Sequence, residues 1–236
     1  MALPKMSTPL YVVNLPSTGE KITFRPFLVR EEKSLLLAQQ SDDMNVMIAT
    51  LKEIITNCVK EPLNIQSLAI FDIEYLFTQI RAKSVGEFAE IIFTCAYCTD
   101  DKNKTQMSID ITKIPVIKDP KHTNKIPLFN DVGVIMKYPN IDTLGKSMGK
   151  ADDINSIMEL VIDCIDVIYT DNEIFHTKDQ TREEVEDFVM NLNKKQFDML
   201  EEFFVTVPKY KQEIEYDCPA CGAHNKTILE GTSSFF

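Results

Sequence analysis

What this chain lacks narrows its chemistry. Its 236 residues include only seven glycines, and these form no glycine-rich phosphate loop. Its three histidines, His122, His176 and His224, stand in no triad and no metal-binding pattern. HExxH and HxE…PCxxC are both absent, so two familiar zinc-hydrolase arrangements have no footing. The stretches "DDINS" and "DQTREE" lack EF-hand spacing and read as helix caps and solvated faces. Positive charge is also short. Lys and Arg number 25 against 36 Asp and Glu, a formal net charge of -11. Such a surface repels nucleic-acid phosphate and anionic headgroups, and no basic cluster offsets it. Neither nucleic acid nor membrane is therefore an expected partner. Apolar runs such as "SLLLA" and "ELVIDCIDVIY" are too short or too interrupted to span a bilayer. The opening "MALPKMSTPL" has no apolar leader core, so folding in a reducing cytoplasm is expected. There, six cysteines are thiols or metal ligands rather than disulfides.

What is present reads as an α+β protein. Hydrophobic residues at 44% and charged residues at 26% suit one large or two small globular domains. "LYVVNLPSTGEKITFRPF" is two β-rich runs around a turn signal, hence an N-terminal β-hairpin. "VREEKSLLLAQQ" switches to helical spacing, with Glu31 and Glu32 in its first turn. In "SDDMNVMIATLKEIITNCVKE", Met44, Met47, Ile48, Leu51, Ile54, Ile55 and Cys58 form one apolar stripe, capped by Ser41, Asp42 or Asp43 and ended by Pro62. "IQSLAIFDIEYLFTQIRAKS" is a further helical segment, followed by two strands around a first CxxC.

From Pro115 to Gly149 the prolines multiply, and extended segments with turns are expected. "ADDINSIMELVIDCIDVIYT" reads as a helix and "DNEIFHTKD" as a loop. "TREEVEDFVMNL" and "NKKQFDMLEEFFVTV" are helices, the first with a capping box from Thr181 to Glu184. Two strands around a second CxxC follow. The expected organisation is an N-terminal α+β half at 1–114, a proline-rich connection at 115–149 and a helical half at 150–236. Each half closes on a helix-then-CxxC-hairpin unit, so an internal duplication is one reading and two similar units of one α+β protein is the other.

The cysteine pairs carry the chemistry. Cys95 and Cys98 stand in "CAYC", and Cys218 and Cys221 in "CPACG". A CxxC turn between strands points both sulfurs to one side, and two such turns supply the four thiolates that Zn²⁺ binds at about 2.3 Å. Pro219 stiffens the second turn and Gly222 permits its reversal. The first turn lacks the glycine. The pairs are far apart in sequence, so one shared site requires the fold to join two hairpins. A redox role wants a CxxC opening a helix in a βαβ setting, and here strands flank both pairs. A catalytic zinc wants an open fourth position and a nearby general base; His224, closely spaced after Cys218 and Cys221, is a candidate ligand, and exposed polar sequence is the commoner reading of a lone histidine after a knuckle. A structural zinc held by Cys95, Cys98, Cys218 and Cys221 is the leading reading; unmetallated thiols are the alternative. Cys58 and Cys164 sit in apolar helical stripes and read as small core residues. Arg25, Arg30, Glu31, Glu32 and Lys33 form either a salt-bridged helix start or an interaction patch.

The strings "ITFRPFLVREEKSLLLA", "IITNCV", "FDIEYLFTQIRAKSVGE" with its "CAYC", and the late "CPACG" before a terminal Phe-Phe resemble the T4-type bacteriophage baseplate hub proteins. The resemblance covers nearly the whole chain and is densest from Ile22 to Cys98. It implies a non-enzymatic role in building the hub of a contractile tail, beside hub, spike and tape-measure proteins. It brings no catalytic residues, and the expected location is the tail baseplate of the virion, after assembly in the host cytoplasm. Two other classes remain open, a zinc-dependent enzyme and a cytosolic zinc-binding adaptor or chaperone. The ending "GTSSFF" presents Phe235 and Phe236 either as a partner anchor or as part of their own domain.

Overall fold

The computed structural model describes residues 7–41, 43–100, 102–143 and 153–231. The fold is α+β. Its contacts separate two compact units. The first comprises Met1–Ile65, Phe71–Ile117 and Lys209–Phe236; the second comprises Gln66–Ile70 and Lys118–Pro208. Phe235 and Phe236 lie outside the described residues.

The first unit opens on the expected hairpin. Strand β1 (Tyr11–Asn14) pairs antiparallel with β2 (Lys21–Phe24), and Gly19 takes φ 74° in the connection, where a side chain would be strained. Helix α1 (Val29–Ser41) follows, then α2 (Met44–Cys58), capped by Asp43 accepting from the Asn45 amide. Helix α2 buries Ile48, Ile54, Ile55 and Cys58, the inner part of the expected stripe, while Met44 stays exposed. The helix ends before Pro62. Val59 is already extended and bridges to Phe24 of β2, so a tertiary contact stops the helix before the proline does. Helix α3 (Ile70–Ser84) is buried on most of its surface. Its Asp72 accepts from the amide and hydroxyl of Ser17 in the β1–β2 turn.

Two long hairpins complete this unit. Strands β3 (Phe88–Thr94) and β4 (Lys104–Asp110) pair over seven residues. After a short β5 (Val116–Ile117) the chain passes to the second unit. It returns as β10 (Lys209–Asp217), which pairs with both β5 and β11 (His224–Glu230), giving a sheet of order β11-β10-β5. Inward residues of both hairpins share one core: Ala89, Phe93, Ile109, Ile214, Tyr216 and Leu229. The ring of Phe93 stacks on Tyr216 at 5.2 Å, and Tyr210 donates its hydroxyl to the Ile111 carbonyl at 3.2 Å.

The second unit is built on a four-stranded antiparallel sheet of order β6-β7-β8-β9, with β6 at Lys125–Phe129, β7 at Val132–Met136, β8 at Ile165–Tyr169 and β9 at Ile174–His176. Strands β6 and β7 come from the proline-rich stretch. Pro127 lies in β6, at the sheet edge, where a missing N–H costs no ladder bond. Helices α4 (Ile154–Cys164), α5 (Arg182–Met190) and α6 (Lys194–Thr206) share the unit's core with the sheet through Val161, Val185, Leu200 and Phe203.

Two segments depart from their expected form. The helix expected to run to Thr170 stops at Cys164, and "IDVIY" continues as β8. Ile165 and Val167 alternate inward along it, a period of two that suits β-branched residues. The segment "DNEIFHTKD" is not all loop, because Ile174–His176 pairs with β8 as an edge strand. The Thr181–Glu184 capping box forms as expected, and α6 carries a second one from Asn193 to Gln196.

Candidate metal centre

Each CxxC sits where a hairpin turns. Thr94 and Lys104 are the last pair of the first hairpin, and Asp217 and His224 the last of the second. Cys95 and Cys218 each follow at once. Their amides donate to the carbonyls of Asn103 and Ala223, both at 2.9 Å, which closes each loop across its neck. In the second loop the Gly222 amide donates to the Cys218 carbonyl at 2.9 Å, and Gly222 takes φ 71°. A β-carbon there would be strained, so the glycine after "CPAC" is required by the turn. The first loop reverses without a glycine. It is longer, and the Asn103 side chain donates to the Cys98 carbonyl at 3.0 Å to hold it.

The fold brings the two loops together. The sulfurs of Cys95, Cys98, Cys218 and Cys221 all lie within 4.8 Å of one another. Across the loops, Cys95 and Cys221 approach to 3.8 Å and Cys98 and Cys218 to 3.7 Å. Four thiolates around one tetrahedral ion at about 2.3 Å would be spaced by about 3.8 Å, so the cross-loop distances match tetrahedral edges. They are far too long for a disulfide, and all six cysteines are free.

The second hairpin is tied to the first outside the sulfurs. Tyr216 donates its hydroxyl to the Thr94 carbonyl at 2.8 Å, and Thr105 donates to the Asp217 carbonyl at 3.3 Å. Asn225, 2% exposed, accepts from the Ala96 amide at 3.1 Å and donates to the Ala223 carbonyl at 2.8 Å. Hydrogen bonds also reach the sulfurs. The Tyr97 amide donates to Cys95 Sγ at 3.3 Å. This bond, with help from the Asn225 side chain, holds the Cys95 thiol down at about 6 against the opposing effect of burial. Burial pushes Cys98 up to about 12, and the neighbouring sulfurs act in the same direction. Four sulfurs this close cannot all carry charge on their own. A divalent cation would offset that repulsion, and the donor set suits a soft or borderline ion.

The other sequence candidates fall elsewhere. His224 is not among the converging ligands. It lies on the exposed face of the β10–β11 hairpin, where Nδ1 donates to Asp217 at 2.8 Å and Nε2 sits 3.6 Å from Glu215. Cys58 and Cys164 are buried in their helices, and burial pushes their thiols up to about 11 and about 12. The charged helix start is a salt bridge. Glu31 is 4% exposed and accepts from Arg25 at 2.9 Å, Arg30 at 2.8 Å and the Leu28 amide at 2.7 Å. Asp153 stands at the N-cap position of α4 without bonding the helix backbone, and its carboxylate accepts from the Ser156 hydroxyl at 3.0 Å. The residue that sequence reading missed is Asn225. It stands four positions after Cys221 in "CGAHN", and no known spacing marks it.

A hairpin-rich α+β fold with a cluster of four cysteines defines a protein built around an interlocked pair of knuckles. Residues 8–236 match the family model described as T4 bacteriophage base plate protein, and the chain belongs to that family. No curated protein and no solved structure matches it. A baseplate protein works among other baseplate components in a phage tail. Among the described residues no helix is long and apolar enough to cross a membrane.

Proposed function

We propose that the chain is a non-enzymatic structural or assembly protein of a contractile-tail baseplate hub. It binds hub, spike and tape-measure proteins, and one structural Zn²⁺ held by Cys95, Cys98, Cys218 and Cys221 locks its two hairpins together. The observation that carries this reading is the convergence of four sulfurs from two knuckles at tetrahedral spacing. With all four positions filled by protein thiolates, no position remains for a water or a substrate, which separates a clasp from a catalytic zinc. The ion would neutralise the repulsion among the sulfurs and fix the hairpin ends as one rigid edge. A hub component needs such a rigid, preorganised surface because ordering loops on contact subtracts from affinity.

The test has two arms. Elemental analysis of protein made without added metal should give about one zinc per chain, since four sulfurs form one tetrahedral site. Less than about a tenth of an equivalent would overturn the clasp. Co-expression with hub, spike and tape-measure proteins, followed by size-exclusion chromatography, should yield a complex. Elution alone in every combination would overturn the hub role.

A further inference from the structure

Asn225 is the buried polar side chain on which both knuckles converge. It is the second residue of β11, opposite Tyr216, and points inward. Its Oδ1 accepts from the amide of Ala96, the residue directly after Cys95. Its Nδ2 donates to the carbonyl of Ala223, directly after Gly222. One planar amide therefore ties the backbone of the first knuckle to that of the second. Few side chains can do this. Aspartate offers acceptors only, and serine is too short to span both loops.

We propose that Asn225 is a positioning residue of the metal centre. By tying the two knuckle backbones together it sets Cys95 at the right separation from Cys218 and Cys221, favouring a tetrahedral divalent ion such as Zn²⁺ or Co²⁺. The inference rests on the clasp reading above and deepens it. Groups that orient metal ligands commonly change affinity by about ten- to a hundredfold when removed, although they never touch the ion. A purely structural asparagine would lower stability and leave the ion's coordination alone.

The experiment uses the full chain, stripped of metal under reductant and titrated with Co²⁺ against a competing chelator. Visible absorption reports tetrahedral cobalt–thiolate coordination directly. Asn225→Ala should weaken Co²⁺ binding by about ten- to a hundredfold and alter the cobalt bands. Asn225→Asp keeps the acceptor for Ala96 but loses the donor contact to the Ala223 carbonyl and adds negative charge beside the sulfurs. It should weaken binding at least as much, and its near-identical shape keeps the test valid if the alanine variant does not fold. Ser17→Ala, which removes a hydroxyl contact to Asp72 elsewhere in the same unit, should lower the melting temperature and leave cobalt affinity and spectrum unchanged. Either Asn225 variant with wild-type affinity and spectrum makes Asn225 an ordinary core residue and leaves the clasp standing. Wild-type protein that takes up neither Co²⁺ nor Zn²⁺ overturns the clasp and this role with it.

Discussion

Glu31 shows how one carboxylate can organise a helix start. Burial alone would raise its pKa, but Arg25, Arg30 and the Leu28 amide outweigh burial and hold it down at about 2. The unfolded value is 4.5. A depressed carboxylate stabilises the fold above the unfolded pKa, and that stabilisation is lost as pH falls toward the folded one. Glu31 should therefore contribute roughly 2 kcal/mol near neutrality, allowing for partial solvent screening. Urea titration of wild type and Glu31→Gln should show that gap at pH 7. It should close between about pH 4.5 and pH 2. A gap that does not change with pH would show that the charge contributes nothing. The sequence exposed this cluster as two alternatives, patch or salt bridge. Nothing in "RPFLVREEK" says which of its two glutamates turns inward, because helix phase depends on what α1 packs against.

At the scale of elements, the hairpins and caps were legible and one helix end was not. Alternation in "EFAEIIFT" and "KQEIEYD" marked strands, and the CxxC pairs marked their turns. The run "INSIMELVIDCIDVIY" carries both periods. Its first part repeats at helical spacing and only Ile165, Asp166 and Val167 alternate, too short a run to fix the switch at Cys164 until β7 offers a pairing edge. The gathering of four cysteines was required by the metal reading yet not encoded by spacing. Asn225 was illegible because a lone asparagine in a strand has no signature. Strand β7 also contains a close backbone approach at Gly133. A β-carbon on Gly133 would meet the Ile126 carbonyl at 2.7 Å and run into the Tyr169 side chain. The carbonyl belongs to the adjacent strand and cannot swing aside. Gly133→Ala should therefore destabilise the second unit by about 2 kcal/mol or more. Thermal unfolding would check it, and an unchanged melting temperature would mean the sheet yields.

At the scale of the whole molecule, the four-cysteine cluster belongs to one unit only. All four sulfurs lie in the first unit, and the core of the second is formed without them. Chelation should loosen the first unit selectively. Hydrogen exchange after metal removal should accelerate in β3, β4, β10 and β11, by an amount equivalent to several kcal/mol, on the order of structural zinc sites. Amides of β6, β7 and β8 should keep their protection. Uniform loss across both units would show that they unfold together.

Strand β5 is followed by the long excursion Lys118–Pro208 before its partner β10 appears. During synthesis from the N-terminus, the first knuckle therefore emerges well before the second. The intervening stretch holds all four strands of its own sheet and can fold in the interval, because its contacts are closer together along the chain. The knuckles must wait. Until Cys218 and Cys221 arrive, Cys95 and Cys98 form half a nest, able to engage stray metal or another thiol. Closure of the sulfur cluster therefore waits until the chain on both sides of the inserted sheet has been made.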